Sequence, residues 1–204
     1  MLSPEPRLIA FDLMGTLALP AHTRSHELEN IYRDTFGALT HTKLENPDLY
    51  FGIVTNGSHD VATRYVVQKG IQAHFMHEPS NKLLIVSGGS EVIIQERFAI
   101  QPRATFMQRL RREIPTPVID IRDKKEFMSP KPHPSGLTYL MKLCGITSPT
   151  NVVLVGDDLR DDGDMAIHAG CHFIHATTEG AGVRYLNLAS VISDAMRKLP
   201  PNEA

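Results

Sequence analysis

The chain alternates short apolar runs with helical patterns, and this alternation restricts the possible folds more than any other feature. The runs are Leu8 to Phe11, Tyr50 to Val54, Leu83 to Val86 and Asn151 to Val155, and each is followed by Asp, Thr, Ser or Gly. A buried strand that opens into a loop has this pattern. Strands that alternate with helices predict a parallel sheet with right-handed crossovers and helices on both faces. We therefore expect an α/β, Rossmann-like, doubly wound fold.

Helical patterns fill the intervals between these runs. The first is expected to begin after Ser25 and to end at Gly37, and the second carries Val61 and Tyr65 and ends at Gly70. Further helices are expected at Gly136 to Leu143 and at Val183 to Leu199, and a last strand at His172 to Ile174.

Length and composition favour one globular domain over residues 1–204. The chain has 204 residues, 42% of them hydrophobic, and a formal net charge of −2, so a core can form and a nucleic-acid-binding surface is not expected. No apolar run reaches membrane length. The only cysteines, Cys144 and Cys171, lie in apolar stretches without metal-ligand spacing, which is typical of reduced, buried thiols. We expect a cytoplasmic protein that does not bind membranes.

Polar residues gather where the expected strands end. Asp12 follows the first strand, Thr55 to Ser58 follow the second, and Lys131 lies in a proline-rich loop. Gly156 is followed by an acidic run that holds Asp157, Asp158, Asp161, Asp162 and Asp164. Parallel strands bring such ends to one edge of the sheet, where ligands bind. Converging carboxylates repel one another unless a cation such as Mg²⁺ joins them, and Mg²⁺ often shares its site with a substrate phosphate.

These residues follow a known order. Asp12-Leu13-Met14-Gly15-Thr16 resembles the first motif of the haloacid dehalogenase (HAD) superfamily, whose usual form is D-x-D-G-T. Thr55-Asn56-Gly57 resembles its second motif, Lys131 in Lys-Pro-His-Pro its third, and Gly156-Asp157 with Asp161 or Asp162 its fourth. The likeness extends over almost the whole chain, and it implies a HAD-like hydrolase of the phosphatase type.

The resemblance implies a role for each matching residue. Asp12 would be the nucleophile and a metal ligand, and the backbone carbonyl of Met14 would also bind the metal. Thr55 and Asn56 would hold the phosphoryl group. Lys131 would contact both Asp12 and the phosphate. Asp157 and Asp162 would complete an Mg²⁺ site, with Asp161 as the alternative at the shorter family spacing.

The chain departs from the family pattern at Met14, where phosphatases carry a second Asp that acts as general acid and base. A thioether can do neither, and loss of this group typically lowers a rate by about 10²–10⁴-fold. Three hypotheses follow: a metal-dependent phosphohydrolase that is slow or uses His22, His59 or His133 as a substitute acid; a degenerate domain that binds phosphate or a protein partner without turnover; and a different hydrolytic reaction.

The spacing of the motifs also differs from that of many relatives. Only 42 residues lie between Asp12 and Thr55, which leaves no room for a large helical cap. A longer interval follows, and residues 91–127 are expected to be a small insertion or lid built from a strand and a helix. An alternative register would make Ser87 the second motif, but the helix after Thr55 fits the family better. The resemblance thus implies a minimal cap and a phosphorylated substrate.

Overall fold

A computed structural model describes residues 5–19, 31–77, 80, 82–88, 91–94, 124–176 and 187–201. Its strands are β1 Arg7–Phe11, β2 Leu49–Thr55, β3 Met76–His77, β4 Lys82–Leu83, β5 Ile85–Ser87, β6 Glu91–Ile94, β7 Lys124–Phe127, β8 Val152–Gly156 and β9 His172–His175. Five of them form the central sheet in the order β5-β2-β1-β8-β9. Every neighbouring pair in this sheet is parallel. The predicted parallel α/β sheet is confirmed.

Helices cover both faces of this sheet. They are α1 Thr35–Glu45, α2 His59–Gln68, α3 Ser135–Cys144, α4 Asp164–Ala169 and α5 Leu188–Lys198, with short 3₁₀ turns at Gln72–Phe75 and Pro149–Asn151 and a π-helical turn at Leu159–Gly163. Alternate side chains of β1 point to opposite faces. Ile9 and Phe11 pack in the core with α1, α2 and α5, whereas Leu8 and Ala10 pack with α3 and α4. The sheet is therefore doubly wound, as predicted.

The helix predicted to run from Ser25 to Gly37 is wrong over its described part. Ile31 and Tyr32 lie in a bend, and α1 begins at Thr35. Asp34 is its N-cap, and its carboxylate accepts a hydrogen bond from the backbone N–H of Gly37 at 2.8 Å. A Cβ on residue 37 would overlap this carboxylate, so Gly37 accommodates the start of a helix rather than ending one. Ser25 lies outside the described residues.

The other predicted helix boundaries agree more closely with the structure. Helix α2 ends at Gln68, and Gly70 follows it with a φ of +66°. Helix α5 begins at Leu188, where Asn187 accepts a hydrogen bond from the backbone N–H of Ser190 at 2.9 Å. Among the helices of the described segments, none is long and apolar enough to cross a membrane.

The predicted insertion at residues 91–127 begins and ends outside the main sheet. Strand β6 pairs with β7 in an antiparallel ribbon, with Glu91 opposite Phe127 and Ile94 opposite Lys124. Residues 95–123 lie outside the described part of the chain, so a lid at this position remains a prediction. Strands β3 and β4 form a second small antiparallel pair.

Candidate active site

The register of β1 against β8 brings two aspartates to the same edge of the sheet. Phe11 pairs with Val155, the last such pair between the two strands. The backbone N–H of Asp12 extends this ladder by donating to the carbonyl of Val155 at 2.8 Å. Asp157 follows β8 directly. The two aspartates therefore extend from neighbouring strands at positions that differ by only one residue along the sheet. Residues far apart in the sequence thus meet through sheet pairing alone.

Lys131 lies at the centre of this edge. Its ammonium group donates hydrogen bonds to the carboxylate of Asp12 and, at 2.6 Å, to Oδ1 of Asp162. The three residues are almost fully buried, with 7% of Lys131, 7% of Asp12 and 1% of Asp162 exposed. Charged groups are rarely buried unless they are paired. The lysine therefore holds two aspartates from different loops in a fixed arrangement.

Asp157 adds a third carboxylate to this pair. The carboxylate oxygens of Asp12, Asp157 and Asp162 lie within 4.8 Å of one another, and the hydroxyl of Thr16 donates to Asp157 at 3.3 Å. Three carboxylates facing one ammonium group leave excess negative charge in a buried space. Among the described residues, this is the cluster that could hold a metal ion.

This crowding changes the proton affinities of the cluster. Burial, opposed by Lys131 and reinforced by the charges of Asp162 and Asp157, raises the pKa of Asp12 to about 7. Burial and the charge of Asp162 also raise the pKa of Asp157. Burial alone would lower the pKa of Lys131, but Asp12 and Asp162 outweigh it and raise that pKa. The lysine stays charged, while Asp12 and Asp157 hold protons more tightly than aspartates in water.

Two glycines make room for these carboxylates. Gly15 has a φ of +90°, a conformation that suits glycine, and a Cβ there would overlap the carboxylate of Asp157. A Cβ on Gly156 would overlap the side chain of Asp162. The carboxylates therefore lie directly against bare backbone, and the spacing of the cluster depends on both glycines.

Thr55 ends the strand next to β1, on the side away from β8. It is 1% exposed, and its hydroxyl oxygen accepts a hydrogen bond from the backbone N–H of Gly57 at 3.0 Å. Ser87, the alternative second motif, pairs with Thr55 across β2 and β5 and so lies one strand further from Asp12. Its hydroxyl donates to the carbonyl of Gly57. The order of the strands thus favours Thr55.

Comparison with known proteins agrees with this arrangement. Residues 129–194, which include Lys131 and the acidic run, match a family model described as HAD-hydrolase-like. The chain is similar in structure to a HAD-superfamily hydrolase from Ehrlichia chaffeensis, with a TM-score of 0.57, 14% identity and coverage of 97% of this chain and 99% of that one. A haloacid dehalogenase-like family hydrolase from Xanthomonas campestris gives a TM-score of 0.55 at 10% identity, covering 96% and 97% of the two chains.

This is the fold of the HAD-superfamily hydrolases. No curated protein matches the chain in sequence. The resemblance deduced from the motifs is confirmed at the level of the fold. The roles of individual residues remain predictions.

By the motif resemblance, Met14 occupies the position of the second Asp of HAD phosphatases. Its side chain is half-buried and packs against the apolar core that contains Leu13 and Leu17. Its backbone forms an isolated bridge with Ala18, which closes the turn after Asp12. The residue therefore belongs to the turn and core beside the cluster, and no proton-transferring group is supplied at this position.

The histidines considered as substitute acids do not join the cluster in the described structure. The ring of His59 contacts the hydroxyl of Thr63 at 3.3 Å, and Nδ1 of His133 accepts from the backbone N–H of Ser135 at 3.2 Å. His22 lies outside the described residues. A histidine can therefore be assigned as the acid only by experiment.

Two residues near the cluster were not anticipated from the sequence. Nε2 of His175 lies 2.9 Å from the carbonyl oxygen of Asp157 and can donate a hydrogen bond to it. Tyr32 is buried, and burial together with the charge of Asp157 raises its pKa to about 12. The position of His175 at the end of β9 was a usable signal, because the ends of parallel strands share one edge. Tyr32 gave none, because it was assigned to a helix.

Proposed function

We propose that this chain is an Mg²⁺-dependent phosphohydrolase that acts through an aspartyl-phosphate on Asp12. The observation that carries the proposal is the buried contact of Lys131 with both Asp12 and Asp162, beside Asp157. A single ammonium group does not balance three carboxylates. The cluster is therefore suited to a divalent cation and to a phosphoryl group that it binds.

The donor set fits Mg²⁺ better than a softer metal. The candidate ligands are carboxylate oxygens of Asp12, Asp157 and Asp162, with the backbone carbonyl of Met14, and hard cations prefer such oxygens. Cys144 lies in the core with α3 and α4 rather than in this cluster. When bound, the metal would neutralise charge on the phosphoryl oxygens and favour ionised Asp12. Lys131 would supply a second positive charge.

The reaction follows from the two roles of Asp12. Its carboxylate oxygen would attack phosphorus as the bond to the leaving oxygen breaks, which gives a covalent acyl phosphate. Water would then attack the same phosphorus, break its bond to Asp12 and release inorganic phosphate. Thr55 and the backbone N–H groups after it would hold the phosphoryl oxygens. Lys131 would stabilise their charge throughout.

The leaving group needs a proton that Met14 cannot give. We expect turnover to be slow with alkyl phosphates, whose leaving oxygen is strongly basic, and faster with aryl phosphates. The same residue supports a second candidate function, a degenerate HAD domain that binds phosphate or a phosphorylated partner without hydrolysis. Both candidates require the cluster at Asp12 to bind metal and phosphate.

Hydrolysis of p-nitrophenyl phosphate separates the two. The wild-type protein with Mg²⁺ should release p-nitrophenol faster than the Asp12→Asn variant and faster than the wild-type protein in EDTA. Met14→Asp should then raise the rate with an alkyl phosphate by about 10–10³-fold, because general acid–base catalysis contributes about 10²–10⁴-fold and a grafted group is imperfectly placed. Met14→Asn is the matched control, since it adds polarity without a titratable carboxyl.

Each outcome has a clear meaning. Equal rates for the wild-type protein and Asp12→Asn would overturn the hydrolase proposal. Phosphate binding that depends on Mg²⁺, measured by calorimetry in the absence of turnover, would then support the degenerate domain. An equal effect of Met14→Asp and Met14→Asn would show that the missing acid is not what limits the reaction.

A further inference from the structure

Asn56 joins two loops of the candidate site through its side-chain amide. Its Oδ1 accepts a hydrogen bond from the backbone N–H of Lys131 at 2.8 Å. Its Nδ2 donates to Oδ2 of Asp161 at 3.1 Å. One short side chain at the end of β2 thus holds both the loop that carries Lys131 and the acidic turn after β8. We call these two hydrogen bonds the Asn56 bridge.

The acidic turn that carries Asp161 is closed by its own hydrogen bonds. Oδ1 of Asp158 accepts hydrogen bonds from the backbone N–H groups of Arg160 at 2.7 Å and of Asp161 at 3.0 Å. The backbone N–H of Asp158 itself donates to Asp162 at 3.2 Å. The backbone of Asp161 is therefore held by hydrogen bonds within its own turn.

The loop end of the bridge lies against the end of β5. A Cβ on Gly88 would lie 2.7 Å from Oδ1 of Asn56 and 2.7 Å from Cα of Pro130. The backbone N–H of Gly88 also donates to the carbonyl of Thr55 at 2.7 Å. The amide of Asn56 is thus seated between the end of β5 and the loop that leads to Lys131.

We propose that Asn56 is a positioning residue, which sets the backbone of Lys131 so that its ammonium group reaches Asp12 and Asp162 together. Both polar atoms of its side chain are engaged by the protein, which leaves its backbone N–H and the second N–H of Nδ2 to contact a phosphoryl group. The inference rests on the proposed function for its catalytic consequence. The structural part, protection of the Lys131 backbone N–H, does not depend on turnover.

A change of charge at both ends of the bridge tests this role. Asn56→Asp keeps an acceptor for the Lys131 N–H but places a carboxylate about 3 Å from that of Asp161, where like charges repel. Adding Asp161→Asn restores a hydrogen bond of reversed direction, because the amide at position 161 can donate to the carboxylate at position 56. Asp161→Asn alone completes the double-mutant cycle.

Two readouts are needed. Amide hydrogen exchange of the Lys131 N–H, followed by NMR, should be at least 10-fold faster in Asn56→Asp and should return towards the wild-type rate in the double variant. With p-nitrophenyl phosphate, kcat should fall by about 10–100-fold in Asn56→Asp, as expected when a supporting residue is lost, with KM changed much less. The double variant should recover most of kcat.

Ser58→Asp is the matched control for added charge. Aspartate is as good an N-cap as serine for helix α2, so this variant places a negative charge two residues further along without disturbing the bridge. We expect its Lys131 exchange rate to match that of the wild-type protein. Faster exchange equal to that of Asn56→Asp would overturn the inference, because charge alone would then explain the effect.

The remaining outcomes separate positioning from direct substrate binding. If Asn56→Asp leaves the Lys131 exchange rate unchanged and raises KM, and the double variant gives no recovery, Asn56 acts on the substrate and the inference is wrong. If the wild-type protein shows no turnover, the proposed hydrolase function fails. The exchange rates across the cycle then decide whether the bridge positions Lys131.

Discussion

Replacing Asp12 by asparagine should stabilise the metal-free protein at neutral and alkaline pH, even though it removes the proposed nucleophile. Asp12 is buried with two further carboxylates, and its pKa is raised to about 7 from an ordinary value of 3.8. Between these two values the folded protein binds more protons than the unfolded chain. The free energy of unfolding therefore falls as the pH rises through this range.

The size of this effect follows from the two pKa values. Each unit of difference corresponds to about 1.36 kcal/mol, so ionising Asp12 in the folded protein destabilises it by about 4 kcal/mol well above pH 7. About 2–3 kcal/mol of this develops between pH 5 and pH 8. Because only 7% of Asp12 is exposed, solvent does little to reduce it. The loops around the cluster need not move, because asparagine at position 12 keeps a side-chain oxygen that can accept a hydrogen bond from Lys131.

Urea unfolding of both proteins at pH 5 and pH 8, in EDTA, measures the prediction. The stability of Asp12→Asn relative to the wild-type protein should be greater at pH 8 than at pH 5 by about 2–3 kcal/mol. Asp158→Asn is the control: backbone N–H groups of Asp161 and Arg160 lower the pKa of Asp158 below 3.8. Asp158 is then ionised in the folded and in the unfolded state between pH 5 and pH 8. The difference in free energy of unfolding between Asp158→Asn and the wild-type protein should therefore not change with pH.

Saturating Mg²⁺ should reverse the advantage of Asp12→Asn, because a ligand that binds only the folded state stabilises it. Protons compete for Asp12, so the Mg²⁺ affinity of the wild-type protein should be about 10-fold weaker at pH 6 than well above pH 7. If the stability difference between Asp12→Asn and the wild-type protein is the same at pH 5 and pH 8, then Asp12 does not lie in a crowded, buried anionic cluster and the reasoning fails.

Two further substitutions test other parts of the structure. Gly15→Ala should weaken Mg²⁺ binding by at least about 10-fold in calorimetry, because it strains a positive φ by about 1–2 kcal/mol and its Cβ overlaps Asp157. Gly70→Ala is the control, since Gly70 has a φ of +66° and a Cβ there would meet no atom within 4 Å. This control should lose stability but keep its Mg²⁺ affinity. An equal loss of Mg²⁺ affinity in both would contradict this assignment. Asp48→Asn should lower the free energy of unfolding by about 3–5 kcal/mol, because it leaves the buried guanidinium of Arg7 without its 2.8 Å ion pair. A change below about 1 kcal/mol would show that the side-chain oxygen of Asn46, 3.1 Å from Nη2 of Arg7, and the carbonyl of Pro200 suffice as partners.

Sequence patterns predicted the parts of this protein that depend on period and strand order. Asp12, Thr55 and Asp157 each follow an apolar run, and the ends of parallel strands must meet at one edge. Their convergence therefore needed no three-dimensional information beyond the sheet. Lys131 could be placed near them only through the family resemblance. A proline-rich loop has no regular spacing of apolar residues that would indicate which way its side chains face.

The errors came from residues whose role depends on a neighbour in space. Gly37 looked like a helix end, but it makes room for the Asp34 cap. The phosphate contact of Asn56 stays a prediction, and nothing in the sequence indicated that its amide contacts Lys131 and Asp161. Tyr32 was assigned to a helix, although it lies in a bend near Asp157. Sequence alone gives the type of each side chain, whereas the identity of its hydrogen-bond partner depends on how distant loops pack.

The ribbon of β6 and β7 marks a point at which the segment between these two strands can be replaced. Because Glu91 and Phe127 are paired, the polypeptide leaves the main domain and returns to it at one place. The proposed site residues and the Asn56 bridge all lie outside the segment between β6 and β7. The site residues meant are Asp12, Lys131, Asp157 and Asp162. Replacing the segment between β6 and β7, either by a two-residue hairpin turn or by another sequence, would keep the described contacts of the site.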